Sequence, residues 1–486
     1  MAIRAYRCGG MNTLAIDQGT SATKALVVSA AGEILGESTV PVDPRASAGG
    51  AVEQDPQELL DSIVTAGREA LRAAGEPVAA VGLGNQGETV LHWDLETGRT
   101  LSAALSWQDR RAVEVTRELA GHVDRLVELT GLPLDPYFAA PKMTWLRRRV
   151  GEGGVVSTVD AWLNHQLAGA FVTDAATASR TMLLDLERAE WSEEACALFG
   201  LEPADQPAVV DCAAVVGETD AFGGSLPVTG LAVDQQAALF AESCFAAGEA
   251  KCTYGTGAFI LATAGEAVPS SKSRLAACVA WRLDGTTTYC LDGQVYTAGA
   301  AVSWLEELGL VSHASDLDKV GSATGEEAIF VPGLAGLAAP FWAPEARGGW
   351  VGLSLATTRD DLVRAVAWGI AAQVAALAKA IEVDLGRPLE RLRVDGGLTR
   401  SRVLMQAQAD LLQAPVELYP SADATALGVG AFARLGCGAA STPVEAVGSW
   451  KPVAVFEPEM SADEARERLA RFNDAAQALA ALAGTA

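Results

Sequence analysis

The segment that decides the fold is TLAIDQGTSATKALVV, residues 13–28. Apolar runs at 14–16 and 25–28 predict two buried strands, and the polar residues between them predict the turn of a hairpin. Gly19 lets the backbone approach a bound group closely, while the hydroxyls of Thr20 and Ser21 are donors that phosphate oxygens accept. Asp17 ends the first strand, where its carboxylate could hold a divalent cation. Taken alone, the segment is equally compatible with a hairpin that binds nothing.

Length and charge restrict the class of protein. The chain has 486 residues, more than one hydrophobic core usually supports, so two domains are predicted. Its formal net charge of −25 disfavours nucleic acid and anionic membrane as partners, because both would be repelled. We see no signal peptide and no apolar run long enough to span a membrane, so the sequence predicts a cytoplasmic protein.

The cysteines and histidines do not form the spacings of a metal site. Eight cysteines occur without a C-x-x-C pair, and four histidines occur without paired spacing. This usage is typical of reduced thiols and disfavours both a disulfide framework and a zinc site. Residues 1–11 lack a long apolar run and are predicted to be a disordered extension ahead of the folded chain.

Polar residues follow several predicted strands, and strand ends are where α/β folds bind ligands. Residues 78–84 predict a strand that leads to Glu88, and a second short strand leads to Trp107. This pair suits a polyol, because a carboxylate accepts hydroxyl hydrogen bonds while C–H groups pack on an indole ring. Tyr137 follows two prolines, and Asp234 lies at a strand-to-helix turn that suits a general base. Each residue also has an alternative interpretation without a ligand: Glu88 as a surface acid, Trp107 as a core residue and Asp234 as a helix cap.

The C-terminal half repeats the opening hairpin. Residues 250–263, AKCTYGTGAFILAT, predict a strand, a glycine-threonine turn and another strand, which indicates a duplicated fold. Two such hairpins facing each other would bind a triphosphate from both sides. Residues 392–395 predict a further strand, ended by a double glycine on which an adenine ring could lie. Long helices are predicted from the cap at 358–361 and over 423–434.

Ten segments, in order, resemble the FGGY family of carbohydrate kinases, and most closely its glycerol kinases. They span about residues 13–436 and read AIDQGTSATKALV, GNQGETVLHWDLETG, LSWQDRR, TGLPLDPYFAAPKMTW, TVDAWL with ATASRTMLLDL, VTGLAVDQQAALF, TYGTGAFIL, PGLAGLAAPFW, RVDGGLTRSRVLMQ and TALG. The resemblance implies an α/β fold of two ribonuclease-H-like domains, of the actin, hexokinase and Hsp70 type, with a catalytic cleft between them. The expected domains are 12–241, with the polyol site and first phosphate loop, and 242–486, with the second phosphate loop and adenosine site.

The resemblance also implies an activity and a set of site residues. It implies transfer of a phosphoryl group from ATP, with Mg²⁺, to a primary hydroxyl of glycerol or a related small polyol, by a homodimer or homotetramer. Asp234 is the implied general base and Asp17 the implied magnesium ligand. The implied polyol contacts are Gly87, Glu88, Trp107, Tyr137, Asp234, Gln235 and Phe259. The implied nucleotide contacts are Thr20, Ser21, Lys24, Thr256, Gly299, Ser303, Gly397 and Ser401.

The chain departs from the family pattern at one position of the polyol site. Gly87 stands where the usual N-Q-R-E-T motif has arginine, which removes a charged donor and opens a space of about one side chain. A larger polyol or a ketose, such as a tetritol, a pentitol, xylulose or ribulose, is therefore the alternative substrate. On the nucleotide side, Lys24 replaces an arginine, and Ser303 and Ser401 replace amides. A non-catalytic, actin-like nucleotide-binding protein is a remote alternative, which the presence of Asp234 disfavours.

Overall fold

The computed structural model describes residues 12–151, 153–319 and 328–483, so the extension predicted for residues 1–11 lies outside the described residues. The strands are, in chain order, β1 (Asn12–Gln18), β2 (Ala22–Val28), β3 (Ile34–Pro41), β4 (Arg45–Ser47), β5 (Ala51–Gln54), β6 (Val78–Asn85), β7 (Val90–Trp93), β8 (Ala104–Leu105), β9 (Val155–Thr158), β10 (Val172–Asp174), β11 (Leu184–Asp185), β12 (Glu190–Trp191), β13 (Ala208–Val210), β14 (Gly217–Thr219), β15 (Leu226–Val233), β16 (Ala250–Tyr254), β17 (Ala258–Gly265), β18 (Ala276–Leu283), β19 (Thr286–Val295), β20 (Ile329–Val331), β21 (Gly349–Val351), β22 (Leu392–Asp395), β23 (Val416–Leu418) and β24 (Ala454–Phe456). The α-helices are α1 (Pro56–Ala74), α2 (Val113–Glu118), α3 (Val123–Thr130), α4 (Ala139–Val150), α5 (Val159–Ala168), α6 (Ala175–Ser179), α7 (Glu193–Phe199), α8 (Asp234–Ala241), α9 (Gly299–Glu307), α10 (Arg359–Leu385), α11 (Arg402–Leu412), α12 (Ala424–Gly436), α13 (Pro443–Val447) and α14 (Ala462–Ala483).

The first sheet contains the predicted opening hairpin. Its six strands lie in the order β14-β15-β6-β1-β2-β3. β1 pairs antiparallel with β2 and parallel with β6, and β6 pairs parallel with β15. Both faces of β1 are covered: Leu14 and Ile16 join a core cluster with Leu59 of α1, while Ala15 joins one with Ala426 of α12. Coverage on both faces is the reason β1 is a continuous apolar run.

The second sheet repeats this arrangement, as the second glycine-threonine hairpin predicts. Its strands lie in the order β18-β19-β17-β16-β22-β23-β24. β16 pairs antiparallel with β17 and parallel with β22, which is the relation of β1 to β2 and β6. A separate five-stranded sheet, in the order β4-β5-β8-β7-β9, lies in the N-terminal half and presents the residues around Glu88 and Trp107.

The predicted helix starts are confirmed by their caps. The side chain of Asp55 accepts a hydrogen bond from the amide of Gln57 at 2.9 Å, and Pro56 is the first residue of α1. Thr358 and Asp361 form a capping box at the start of α10. α10 is long and apolar enough to cross a membrane, but 78% of its most apolar window is buried inside the protein. It is therefore built like the core helix of a globular domain.

Helix α12 comes from the C-terminal half but packs on the first sheet and on α8. Glycines make this close packing possible. A Cβ at Gly428 would lie 1.9 Å from the carbonyl oxygen of Ala237, and one at Gly82 would lie 2.7 Å from that of Val429. α8, α12 and the first sheet are therefore one packed unit, which brings the start of α12 next to the opening hairpin.

Candidate active site

Three carboxylates meet where the parallel strands of the first sheet end. Asp17 of β1 lies opposite Gly84 of β6, and Asp234 follows β15 as the first residue of α8. Burial, followed by the negative charges of Asp234 and Asp423, raises the pKa of Asp17 to about 7, although Lys24 opposes this effect. Lys24 forms an ion pair with Asp423, just ahead of α12. The site therefore carries more negative than positive charge before any cation binds.

The residues at this position fit a magnesium ion. Asp17 Oδ1 is buried and has no hydrogen-bond partner within the protein. Because buried polar atoms normally have a partner, this oxygen is suited to bind a cation. The described residues contain no group of three or more histidine, cysteine or acidic side chains that could hold a metal. A nucleotide-bound Mg²⁺ needs only one or two protein carboxylates, because phosphates and water supply the other ligands.

Asp234 has the surroundings of a proton acceptor. Its Oδ1 accepts a hydrogen bond from the backbone amide of Gln235 at 2.7 Å, and the side chain of Gln235 is a second hydrogen-bond partner of the carboxylate. Burial raises the pKa of Asp234, while the charges of Lys251 and Arg180 lower it. The structural alternative was a capping aspartate, but the N-cap of α8 is Val233. The backbone amide of Gln235 thus holds the carboxylate in place at the strand-to-helix turn, where it could accept a proton.

Three aromatic rings surround the pocket beside Glu88. The ring of Trp107 meets that of Tyr137 edge-on at 5.8 Å and that of Phe259 at 6.4 Å. Phe259 lies on β17 of the second sheet, so both halves of the chain contribute to this pocket. Apolar walls next to a carboxylate suit a ligand with alternating C–H and hydroxyl groups.

Glu88 has an unusual backbone conformation, and its side chain pairs with a buried arginine. Its φ is 56°, in the left-handed region that side chains other than glycine seldom adopt. Its Oε1 accepts a hydrogen bond from Arg180 Nε at 2.6 Å, and both side chains are almost fully buried. Burial is the main reason that the pKa of Glu88 is raised, and Arg180 works against that rise.

The space at Gly87 is bounded by the residue that precedes Asp234. A Cβ at position 87 would lie 3.0 Å from Cγ2 of Val233, closer than normal carbon contacts. Val233 is itself buried. A side chain at position 87 would therefore require Val233 to move, so part of the room that the sequence predicts there is already filled.

A buried lysine orients Gln235. Lys251 Nζ donates to Gln235 Oε1 at 2.5 Å and to Thr253 Oγ1 at 2.8 Å, and Lys251 has no exposed surface. Since the lysine binds the amide oxygen, the side chain of Gln235 donates through its NH₂, which is directed to the carboxylate of Asp234.

The first predicted phosphate loop is connected to the aromatic pocket. Trp107 Nε1 donates to Thr20 Oγ1 at 2.8 Å, so the ring beside the polyol pocket also fixes a hydroxyl of the hairpin turn. Ser21, next in the turn, is exposed, and Lys24 lies on β2. The lysine that the sequence assigns to the nucleotide is thus shared with Asp423.

The second predicted loop packs against the start of α9. The carbonyl oxygen of Thr256 accepts hydrogen bonds from Ala298 N and Ala300 N, each at 3.0 Å. Gly299 is required there, because a Cβ would lie 2.6 Å from the carbonyl oxygen of Gly255. Ser303 is exposed one turn further along the helix.

The two residues predicted for the adenosine site, Gly397 and Ser401, differ in exposure and in hydrogen bonding. Gly397 is exposed, with open space where a side chain would begin. Ser401 is buried and caps α11, accepting from Leu404 N at 3.3 Å and donating to Asp318 at 2.8 Å. A nucleotide could therefore lie on Gly397, while the hydroxyl of Ser401 is already engaged.

Four charged residues of the site are absent from the sequence-based prediction: Lys142, Arg180, Lys251 and Asp423. Lys142 is buried and donates to the carbonyl oxygens of Pro136, Tyr137 and Phe138, so it holds the loop that carries Tyr137. Arg180 lies within the ATASRTMLLDL segment, where the composition suggests no chemistry. No local pattern distinguishes a buried charged residue from an exposed one, so only the packing shows their roles.

Two sequence models cover most of the chain. The N-terminal domain of the FGGY family of carbohydrate kinases matches residues 12–241, and its C-terminal domain matches residues 250–436. The chain belongs to the FGGY family of carbohydrate kinases. Its resemblance to that family, seen first in the motifs, is thereby confirmed, and so is its assignment as a carbohydrate kinase.

Similar proteins agree with this FGGY assignment. The chain is 41% identical over 485 residues to a glycerol kinase of Aromatoleum aromaticum, covering 96% of this chain and 98% of that protein. The structure matches that of Plasmodium falciparum glycerol kinase with ADP, with a TM-score of 0.90 and 29% identity over 97% of this chain and 99% of that one. A xylulose kinase from Lactobacillus acidophilus shares the fold at a TM-score of 0.89 and 20% identity, covering 98% and 99% of the two chains. The predicted two-domain fold is confirmed.

Proposed function

We propose that this FGGY kinase is an ATP-dependent glycerol kinase in which Asp234 is the general base. The observation that carries the proposal is the position of Asp234. It lies at the end of the sheet that bears the first phosphate hairpin, and its charge also raises the pKa of Glu88 in the aromatic pocket. A polyol hydroxyl bound in that pocket would thus meet both the proton acceptor and the phosphoryl donor.

The pocket suits a short polyol. Glu88 would accept hydrogen bonds from two neighbouring hydroxyls, and the NH₂ of Gln235 would donate to one of them. Trp107, Tyr137 and Phe259 would pack on the carbon chain. Val233 bounds the space at Gly87 on one side, which reduces the room there for a longer chain. The 41% identity to a glycerol kinase supports the same substrate.

The nucleotide would lie between the two hairpins. Thr20, Ser21 and Lys24 would contact its phosphates from the first half, and Thr256 would contact them from the second. Gly299 and Ser303 would lie along the ribose side, with Gly397 and Ser401 bordering the adenine. Asp17 would hold Mg²⁺, which supplies neutralisation of the phosphate charge when bound.

The reaction is an in-line displacement. The attacking hydroxyl oxygen forms a bond to the γ-phosphorus, the bond from that phosphorus to the β–γ bridging oxygen breaks, and ADP leaves. The hydroxyl proton passes to the carboxylate of Asp234, whose Oδ1 is held by the backbone amide of Gln235. Lys24 and the loop amides stabilise the charge on the transferring group, and closure of the cleft excludes water that would otherwise hydrolyse ATP.

A coupled assay of ADP release tests this proposal. The acceptors are glycerol, erythritol, the pentitols, xylulose, ribulose and gluconate, each with Mg·ATP. We expect glycerol to give the highest kcat/KM. A higher value for a longer polyol or a ketose would replace glycerol as the substrate, and ADP release that is independent of any acceptor would contradict a polyol kinase. We further propose that the protein is cytoplasmic and that it forms a homodimer or homotetramer. Light scattering of the purified protein measures its molar mass and so tests the oligomeric state.

A further inference from the structure

Arg180 is the buried cation that pairs directly with Glu88. It follows α6 directly, and 3% of its surface is exposed. Its Nε donates to Glu88 at 2.6 Å, while its Nη1 contacts Asp292 Oδ2 at 2.9 Å and Cys278 Sγ at 2.8 Å. Its guanidinium also lies 5.8 Å from the ring centre of Tyr137. One side chain therefore touches two carboxylates and an aromatic wall of the pocket.

These contacts join the two halves of the chain. Glu88 and Arg180 belong to the half that carries the first sheet, whereas Cys278 and Asp292 lie on β18 and β19 of the second sheet. The neighbouring Ser179 strengthens the link, because its Oγ accepts a hydrogen bond from Val279 N at 3.0 Å. The acid proposed to bind the polyol is thus tied, through a single arginine, to the other half.

The burial of these charges makes the link sensitive to substitution. A buried carboxylate without a cation is unfavourable and tends to take up a proton, which would remove hydrogen-bond acceptors from the pocket. Asp292 is also buried, and its Oδ1 has no hydrogen-bond partner. Arg180 lies between these two carboxylates, so loss of Asp292 would remove one of its two acidic partners, and loss of Arg180 would leave Glu88 without its cation.

We propose that Arg180 is a positioning residue, which holds Glu88 in its polyol-binding geometry and couples that geometry to the C-terminal half through Asp292. This inference rests on the proposed polyol kinase activity. The inference predicts that the polyol affinity depends on Asp292, a residue of the second sheet that contacts Arg180.

The test compares two isosteric substitutions at contacts between the halves. Asp292→Asn weakens the ion pair with Arg180. The matched control is Asp211→Asn, because Asp211 also pairs with an arginine between the halves, at 2.5 Å, but that arginine is Arg282 of β18 and not Arg180. We expect Asp292→Asn to raise the KM for glycerol at least tenfold, with kcat reduced less than threefold and the KM for ATP unchanged. Asp211→Asn is expected to leave all three constants within twofold of the wild type.

A second variant separates positioning from folding. Arg180→Lys keeps the charge but cannot reach both carboxylates with a planar group, so we expect its KM for glycerol to rise as in Asp292→Asn. Equal KM values in Asp292→Asn and wild type, or an equal rise in Asp211→Asn, would overturn the inference. If the wild type used another acceptor best, the same comparison would be made with that acceptor. Absence of any acceptor-dependent ADP release in the wild type would instead reject the proposed function.

Discussion

Substitution of Asp234 is expected to lower the rate of phosphoryl transfer rather than the affinity for ATP. Asparagine has nearly the same shape as aspartate but cannot accept the hydroxyl proton. We expect Asp234→Asn to lower kcat by about 10²- to 10⁴-fold, with the ATP dissociation constant, measured by calorimetry, little changed. Glu242→Gln is the control, because this buried carboxyl follows the same helix and burial raises its pKa well above the ordinary value. Near-normal turnover by Asp234→Asn would remove Asp234 from the role of base.

At Glu88, the polyol affinity should depend on pH. The charged groups that face Glu88 are Arg180 after α6, Asp234 on α8 and Lys142 on α4. Burial raises the pKa of Glu88 and the charge of Asp234 raises it further, whereas the two cations lower it. The ionised form is the one that accepts hydroxyl hydrogen bonds. As the pH falls through this raised pKa, the carboxylate takes up a proton and the KM for glycerol should increase. Steady-state kinetics across pH measures this increase, and it should be absent from Glu88→Gln, whose KM should be high throughout.

Position 87 should be coupled to position 233. Gly87→Arg places a Cβ against Val233, so we expect kcat/KM for glycerol to fall at least tenfold in the single variant. Adding Val233→Ala frees the space, and the double variant should recover part of that loss. A double-mutant cycle on kcat/KM measures the coupling, for which about 0.5 to 3 kcal/mol is typical of residues in contact. Purely additive effects would show that the two positions are independent.

At the scale of elements, the packing of α12 on α8 depends on a glycine. In Gly428→Ala the new methyl group would lie 1.9 Å from the carbonyl oxygen of Ala237, so one of the helices must move. Overpacking of this kind destabilises proteins by about 1 to 3 kcal/mol, and the thermal unfolding midpoint should fall accordingly. Gly121→Ala is the control, since a Cβ there meets nothing within 4 Å. Equal midpoints for the two variants would mean that the helices separate without cost.

At the scale of the whole molecule, the two hairpins belong to different halves, so a nucleotide held by both should draw the halves together. Glycerol would add to this closure, because Glu88 and Phe259 also come from different halves. We expect the radius of gyration, measured by small-angle X-ray scattering, to decrease when glycerol, Mg²⁺ and a non-hydrolysable ATP analogue are all present. Glycerol alone serves as the comparison. An unchanged radius of gyration with all ligands would contradict a closing cleft.

Much of the fold could be predicted because its signals are local. The two glycine-threonine hairpins, the capped start of α1 and the capping box of α10 depend on residues a few positions apart, and the structure contains all of them. The position of Asp234 at a strand-to-helix turn is equally local. The extent of β8 was less predictable, since the strand expected to reach Trp107 ends at Leu105.

The sequence by itself determined the hairpins, the repeated strand arrangement, and which carboxylates stand at strand ends, because hydrophobic periodicity and turn chemistry act over short distances. Only the tertiary structure decided which charges are buried together. Glu88 and Arg180 are 92 positions apart, and Lys24 and Asp423 are 399 apart. It also placed Val233 against Gly87 and α12 on the first sheet. A buried charge requires a partner at hydrogen-bond distance. That partner is distant in the sequence and comes close only when the chain folds, so no local sequence pattern predicts it.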